Sequence, residues 1–249
     1  MKTILMTGAS SGLGAALAKA YAAEGITLCL IGRNKKRLAV ISKHCQDLGA
    51  QVLTAAIDVT DQHMMAEQIW QWDQTMPLDL VIANAGISGG TAQGHETDNH
   101  IRQIFETNVM GVLNTVLPVL PAMRDRQSGQ IAIVGSLAGY RGLPGAPAYS
   151  ASKNAVRAWG EALRLQLKPD HIRVNVIAPG FVRTPLTDKN PFHMPLLMEA
   201  DKAAAYIKKG LAQNKARIAF PFRMAFLSRM ISILPGGISD LIVSKLPKK

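Results

Sequence analysis

Short apolar runs recur along the chain and alternate with longer stretches in which apolar side chains return every three or four positions. The runs are Thr3 to Thr7, Thr27 to Ile31, Gln51 to Ile57, Asp79 to Ala83 and Gln130 to Val134. Each is too short for a helix and mostly apolar throughout, so each reads as a strand covered on both faces. An alanine-rich stretch ending near Glu24 and the segment from Thr97 to Arg126 predict helices between them. Strands alternating with helices imply a parallel sheet flanked by helices, an α/β fold.

The length of 249 residues and the 48% hydrophobic content suit one large domain of this kind. No signal-peptide architecture follows Met1 and Lys2, and no long apolar block suggests a bilayer span, so a cytoplasmic protein is expected. Cys29 and Cys45 have no metal-ligand or C-x-x-C spacing and are expected as buried thiols; no metal is expected either. The net charge of +11 is uneven, because ten basic residues and a single acid, Asp240, lie between Lys202 and the end. Charge gathered in a tail, with no helix-turn-helix, zinc-finger or RNA-binding signature, speaks against a nucleic-acid partner.

Chemistry enters at the strand ends. Gly8, Gly12 and Gly14 sit between the first strand and the first helix, where they permit a sharp turn and let a phosphate approach free N–H groups. A plain glycine turn would look the same; the position in the first strand-to-helix corner favours a nucleotide site. The second strand ends at Gly32, Arg33 and Asn34 with no acid to hold a ribose 2′-hydroxyl, so Arg33, with Lys35, Lys36 and Arg37 near it, points to NADP(H) over NAD(H). The same cluster could be a solvated helix start. Asp58 could accept from an adenine amino group, whereas Asp61 reads as an N-cap. Asn84, Ala85 and Gly86 after the fourth strand are small enough to pass close to a cofactor, or form an ordinary turn. Asn108, expected inside a helix, needs its amide satisfied by water or backbone.

Ser136 follows the fifth strand, and Tyr149 and Lys153 stand four residues apart, one helical turn, on a common face. A cation near a phenol favours the phenolate and makes proton transfer by tyrosine practical. Such pairs are also common on solvated helices; the strand-end serine before this one raises its standing. The Gly- and Pro-rich loop from Leu137 to Pro147 could fold Ser136 towards Tyr149 and shape a pocket floor with Tyr140 and Leu143.

Taken together, Thr7-Gly8, Gly12, Gly14, Asn84-Ala85-Gly86, Asn108, Ser136, Tyr149, Lys153 and Pro179-Gly180 resemble the short-chain dehydrogenase/reductase family in order and spacing, over roughly Thr3 to Thr184. The resemblance implies a Rossmann-type, doubly wound parallel sheet of about seven strands, the last near Arg217 to Phe220. It implies catalysis by Asn108, Ser136, Tyr149 and Lys153: Tyr149 as general acid/base, Lys153 lowering its pKa and holding the nicotinamide ribose, Ser136 orienting the substrate oxygen, Asn108 holding a water. It further implies cofactor contacts from Thr7, Gly8, Ser10, Ser11, Gly12, Leu13, Gly14, Arg33, Asp58, Val59, Asn84, Ala85, Gly86, Tyr149, Lys153, Pro179, Gly180, Val182 and Thr184. The implied activity is hydride transfer between NADP(H) and a carbonyl or alcohol, in a homodimer or homotetramer. A non-catalytic cofactor-binding sensor or scaffold is the alternative, disfavoured because Ser136, Tyr149 and Lys153 are all kept.

Residues 1–221 are expected as one catalytic domain, with a lid at about 185–212 whose Phe192, Met194, Leu196, Leu197 and Met198 form an apolar wall, and His193 as a lid or surface residue. Residues 222–249 form a basic, apolar C-terminal helical extension with two segments separated by Pro235-Gly236-Gly237, each too short to span a membrane. Two placements stay open: a peripheral helix pair on an anionic membrane, or packing against the substrate pocket or a neighbouring subunit. The second is preferred, because the apolar residues do not fall on one clean stripe.

Overall fold

The computed structural model describes residues 2–89, 95–188 and 194–244. Phe192, His193 and the lysines after Ser244 lie outside the described residues. Seven strands form one sheet: β1 (Thr3–Thr7), β2 (Thr27–Ile31), β3 (Gln51–Ala55), β4 (Leu80–Ala83), β5 (Gly129–Val134), β6 (Ile172–Pro179) and β7 (Arg217–Phe220). Their order is β3-β2-β1-β4-β5-β6-β7, and every neighbouring pair is parallel. The order reverses between β1 and β4, where open parallel sheets leave a crevice at their C-terminal ends.

Helices cover both faces. On one side α1 (Gly12–Tyr21) and α2 (Lys35–Asp47) pack against alternate strand residues such as Ile4, Met6 and Leu28. On the other, α3 (Gln62–Thr75), the run α4 (Asp98–Phe105), α5 (Gly111–Val116) and α6 (Leu120–Asp125), and the long α7 (Pro147–Gln166) cover Leu5, Cys29 and Val81. In the inner strands successive side chains therefore enter different cores, which is why these read as unbroken apolar runs, whereas β3, expected to be covered on both faces, is an edge strand with Gln51, Leu53 and Thr54 exposed. β3 stops at Ala55, two residues short of the sequence expectation, and Ile57 is buried beyond its end. Both cysteines are free and buried.

Asp98–Asp125 is long and apolar enough to cross a bilayer, contrary to the expectation that no such block exists. Here it is a core element, with Ile104, Val112, Val116, Val119 and Met123 buried. It is also irregular: residues Glu106–Met110 form a π-helical turn and Leu117–Val119 a tighter 3-10 turn.

α8 (Ala200–Ala212) corrects the expected lid boundary. Ala203, Ala204, Ile207 and Leu211 recur at helical spacing and are buried against the sheet, and α8 packs along α1. Lys208 adds a hydrogen bond to the Ala20 carbonyl at 2.6 Å and lies over the Tyr21 ring. The residues left beside the cleft are those before α8, and a bridge between Val182 and Met198 closes the base of that excursion. The chain then passes through β7 into α9 (Phe222–Ile233) and α10 (Gly236–Val243).

Candidate active site

A cleft of about 560 Å³ runs along the C-terminal ends of the strands, within the size range of small-molecule sites. The β1–α1 corner forms its floor. Gly8 has φ +65°, and a Cβ there would stand 2.8 Å from the Ala85 Cα. A Cβ on Gly14 would come within 2.2 Å of the Gly8 carbonyl oxygen. The corner thus closes only with bare backbone at these two positions, which leaves the first turn of α1 open for a phosphate group. Of the residues expected at the cofactor, Ser10, Ser11, Gly12, Leu13, Arg33, Asp58, Val59, Asn84, Ala85, Gly86, Pro179, Gly180, Val182 and Thr184 line this cleft with Gly8 and Gly14.

Thr7 does not line it. Its side chain is buried, and the hydroxyl accepts from the N–H groups of Asn84 at 3.1 Å and Ala85 at 3.2 Å, tying the end of β1 to the chain leaving β4. Asn84 returns the tie by donating from Nδ2 to the Thr7 carbonyl at 3.0 Å. Thr7 is therefore a brace for the cofactor loop rather than a wall of the cleft.

Arg33 and Asp58 face each other in the cleft at the ends of β2 and β3, Nη1 to Oδ2 at 3.4 Å. Burial alone would raise the Asp58 carboxyl, but the Thr60 N–H and hydroxyl together with the Arg33 guanidinium outweigh it and hold the group below its ordinary value. The pair is substantially exposed, so it contributes little to stability and opens at small cost. Asn34 caps α2 through its bond from the Arg37 N–H and, with Arg37, adds to the lining there.

At the other end Ser136, Tyr149 and Lys153 meet on the cleft wall. Ser136 begins the 3-10 turn 137–139, its Oγ accepting from the Ala138 N–H, and its hydroxyl shares a hydrogen bond with the Tyr149 phenol. Burial pushes the Tyr149 phenol above its ordinary value, and the Ser136 bond pulls the other way. Lys153 is 4% exposed; burial pushes its ammonium down to about 8, and Nζ donates to the Val134 carbonyl at 2.9 Å. Nζ lies 5.9 Å from the Tyr149 ring centroid. Burial and Ser136 are thus what act on the phenol in this structure, and the lysine is held by the end of β5.

Asn108 stands behind the wall, fully buried in the π-helical turn. Its Oδ1 accepts from the Ile87 N–H at 2.8 Å, and its Nδ2 donates to the Ile87 carbonyl at 2.9 Å and to Ser152 Oγ at 3.0 Å. The backbone option of the sequence reading holds. One side chain joins the loop after β4 to the helix that carries Tyr149.

Tyr140 and Leu143, expected at the pocket floor, are not among the lining residues. The Tyr140 ring instead lies between the Arg157 and Arg217 guanidiniums, at 5.0 Å and 5.6 Å, and both arginines pair with Glu161. The Leu143 N–H is bound to Ser150 Oγ. Ile87 and Thr107 line the cleft without having been expected there, and Leu186 and Thr187 reach it from the expected lid. Glu96 was also missed: α7 begins at Pro147 after an alanine that cannot cap, and Glu96 Oε2 accepts from the Ala148 N–H at 2.9 Å from a distant loop. The missing cap at Ala146 was the only signal of it in the sequence.

A bare-backbone corner at the first strand, a crevice at the sheet reversal and a Ser–Tyr–Lys wall at its far end define a Rossmann-type dinucleotide-binding protein. The short chain dehydrogenase family model matches residues 2–193. The chain belongs to that family and is an NAD(P)-dependent oxidoreductase. It is 39% identical over 246 residues to an uncharacterized oxidoreductase of Myxococcus xanthus, covering 98% of this chain and 97% of the relative. A short-chain dehydrogenase of Sphingobium yanoikuyae in complex with NADPH superposes with a TM-score of 0.80 at 26% identity, over 99% of this chain and 97% of that one. A short-chain dehydrogenase of Mycobacterium paratuberculosis bound to NAD superposes with a TM-score of 0.77 at 25% identity, over 88% of this chain and 94% of that one.

Proposed function

We propose that the protein is an NADP(H)-dependent reductase that interconverts a carbonyl and an alcohol, with Tyr149 as general acid/base. The carrying observation is the shared hydrogen bond of Ser136 and Tyr149 on a wall of the cleft whose floor is the glycine corner. A reduced nicotinamide supplies the hydride to the carbonyl carbon. Ser136 would then hold the carbonyl oxygen, and the Tyr149 phenol would give its proton to the oxygen as charge develops there. A phenol raised by burial is protonated at neutral pH, which suits the reducing direction. Lys153 would turn from the Val134 carbonyl to the nicotinamide ribose and, once near the phenol, favour its charged form after the proton leaves. Asn108 would fix the loop after β4 against α7.

Arg33 supports NADP(H), since no acid replaces it at the end of β2 and its partner Asp58 is a weakly held, exposed one. The NADPH complex of the Sphingobium protein fits this preference; the NAD complex of the mycobacterial protein is the competing precedent. Residues 1–221 would carry the catalysis, with the excursion before α8 covering the substrate. Its Met194, Leu196 and Met198 favour a bulky or apolar carbonyl.

The test is Tyr149→Phe, assayed by NADPH oxidation against a panel of carbonyl compounds and by NADPH fluorescence for binding. Turnover is expected to fall by about a thousand-fold or more with cofactor binding retained. Comparable turnover in the variant would remove Tyr149 from the chemistry.

A further inference from the structure

α9 is packed with its apolar side outward. Its half-buried residues, among them Met224, Ala225, Ser228 and Ile231, face β7 and the 3-10 turn 137–139. Phe222, Phe226, Met230 and Ile233 follow at spacings of four, four and three residues and are 76%, 58%, 40% and 69% exposed. They make one stripe along the solvent side, and the first two rings stack with centroids 6.3 Å apart. Leu227 widens the stripe, and α10, packed on α9, extends it through the exposed Ile238 and Leu241. The sequence showed no clean stripe because the inward face of α9 is itself partly apolar. Soluble surfaces seldom leave so much contiguous apolar area uncovered.

Charge indicates what covers it. Arg223 and Arg229 are both exposed and fall on either side of the Phe226–Ile233 line, about 60° from it at the 100° advance of a helix. Asp240 is the one acid between Phe222 and Ser244, and it is paired with Arg141. An apolar stripe bordered by cations, with its single carboxylate neutralised, is complementary to an anionic surface. Two copies meeting face to face would instead bring arginine to arginine.

We propose that α9 and α10 dock this protein on an anionic lipid bilayer, with Phe222, Phe226, Met230 and Ile233 in the acyl boundary and Arg223 and Arg229 at the phosphates. Both helices lie in the surface, being too short to cross it. The inward face of α9, opposite the docked stripe, is the one that adjoins the cleft, where a Cβ on the cleft-lining Gly180 would stand 2.7 Å from the Met224 sulfur. The docking does not rest on the reductase reading.

The experiment is co-flotation of the full chain with vesicles of phosphatidylcholine alone or with a third phosphatidylglycerol, beside the double variant Phe226→Ser/Ile233→Ser and the variant Arg223→Glu/Arg229→Glu. Circular dichroism and thermal melting check that each is folded. The wild type is expected to float with the anionic vesicles and remain free of the neutral ones. The serine variant should partition about a hundred-fold more weakly, about ten-fold for each side chain, and the glutamate variant should lose the preference for anionic lipid. No flotation of the wild type, or undiminished flotation of the folded serine variant, overturns the proposal. Dissociation of an oligomer in the serine variant, measured by light scattering, with no lipid binding by the wild type, overturns it in favour of a self-interface. Because binding is read without turnover, an inactive Tyr149 hypothesis leaves the result unaffected.

Discussion

Lys153 makes the stability of the protein depend on pH in a way its substitution should erase. Its ammonium is buried, donates one bond to the Val134 carbonyl and titrates near 8, against 10.5 for the free side chain. Below about pH 8 both folded and unfolded states carry the proton, and the folded state bears the cost of a buried cation. Between about 8 and 10.5 the unfolded state keeps the proton while the folded state has lost it. The unfolded state then binds more protons, so stability rises with pH across this window, by about 3 kcal/mol in all. The buried thiols act in the opposite sense from about pH 9: Cys29 is pushed up to about 12 and Cys45 is also raised by burial, so the folded state holds protons that the unfolded state gives up. That contribution is common to wild type and Lys153→Met and cancels in their difference. Urea unfolding of both proteins without cofactor, from about pH 7 to about pH 10, should show wild type gaining on the variant by about 1.4 kcal/mol per pH unit above pH 8. The lost Val134 bond shifts the variant by a constant amount at every pH. Parallel curves would mean that the ammonium is well solvated, and the account of a buried lysine would fail.

Three further substitutions probe other parts of the site. Arg33→Ala should raise the KM for NADPH about ten-fold or more, leave that for NADH nearly unchanged and shift Tm by under about 2 °C, since the exposed Asp58 pair holds little energy; an equal rise with both cofactors would refute the role given to Arg33. Asn108→Ala strands the part-buried N–H and carbonyl of Ile87 and the buried Ser152 hydroxyl and should cost about 2–5 kcal/mol, measured by urea midpoint, or a Tm lower by roughly 4–15 °C. Glu96→Ala removes the side chain that accepts from the Ala148 N–H at the start of α7; stability should fall by about 1 kcal/mol and kcat should fall more than KM rises, while Glu96→Gln keeps the bond and most of the kcat. A KM effect alone would place Glu96 on the substrate rather than under Tyr149.

The sheet's inner strands were readable because strands covered on both faces admit almost nothing but apolar residues, and β1 and β2 coincide with the runs expected for them, whereas the half-buried β7 was placed by the family resemblance. β3 was overextended because Ile57 is apolar for its own burial after the strand has ended. The residues of the cleft were readable from spacing, since strand ends and glycine corners are local in sequence. What spacing could not convey was direction. Thr7 belongs to the same motif as Gly8 yet points away from the cleft, and Tyr140 follows Ser136 by four residues yet turns to two arginines, one of them in β7. The π-helical turn at Asn108 leaves no compositional trace, and Glu96 acts across fifty residues of chain. α8 was assigned to the lid because the family resemblance places the stretch after Thr184 over the substrate, whereas Ala203, Ala204, Ile207 and Leu211 recur at helical spacing and join the core.

The neighbour relations of β1 set the order in which the chain can be assembled during synthesis. β1 pairs with β2 on one side, within the first thirty-one residues, but its other edge waits for Leu80 to Ile82. The backbone N–H groups of Lys2 and Thr3 likewise find their acceptor only when Asp79 leaves the ribosome. Until then an apolar, unpaired edge at the centre of the future sheet is open to any other strand. The time taken to synthesise the chain from α2 to β4 therefore sets how long that edge stays open during synthesis.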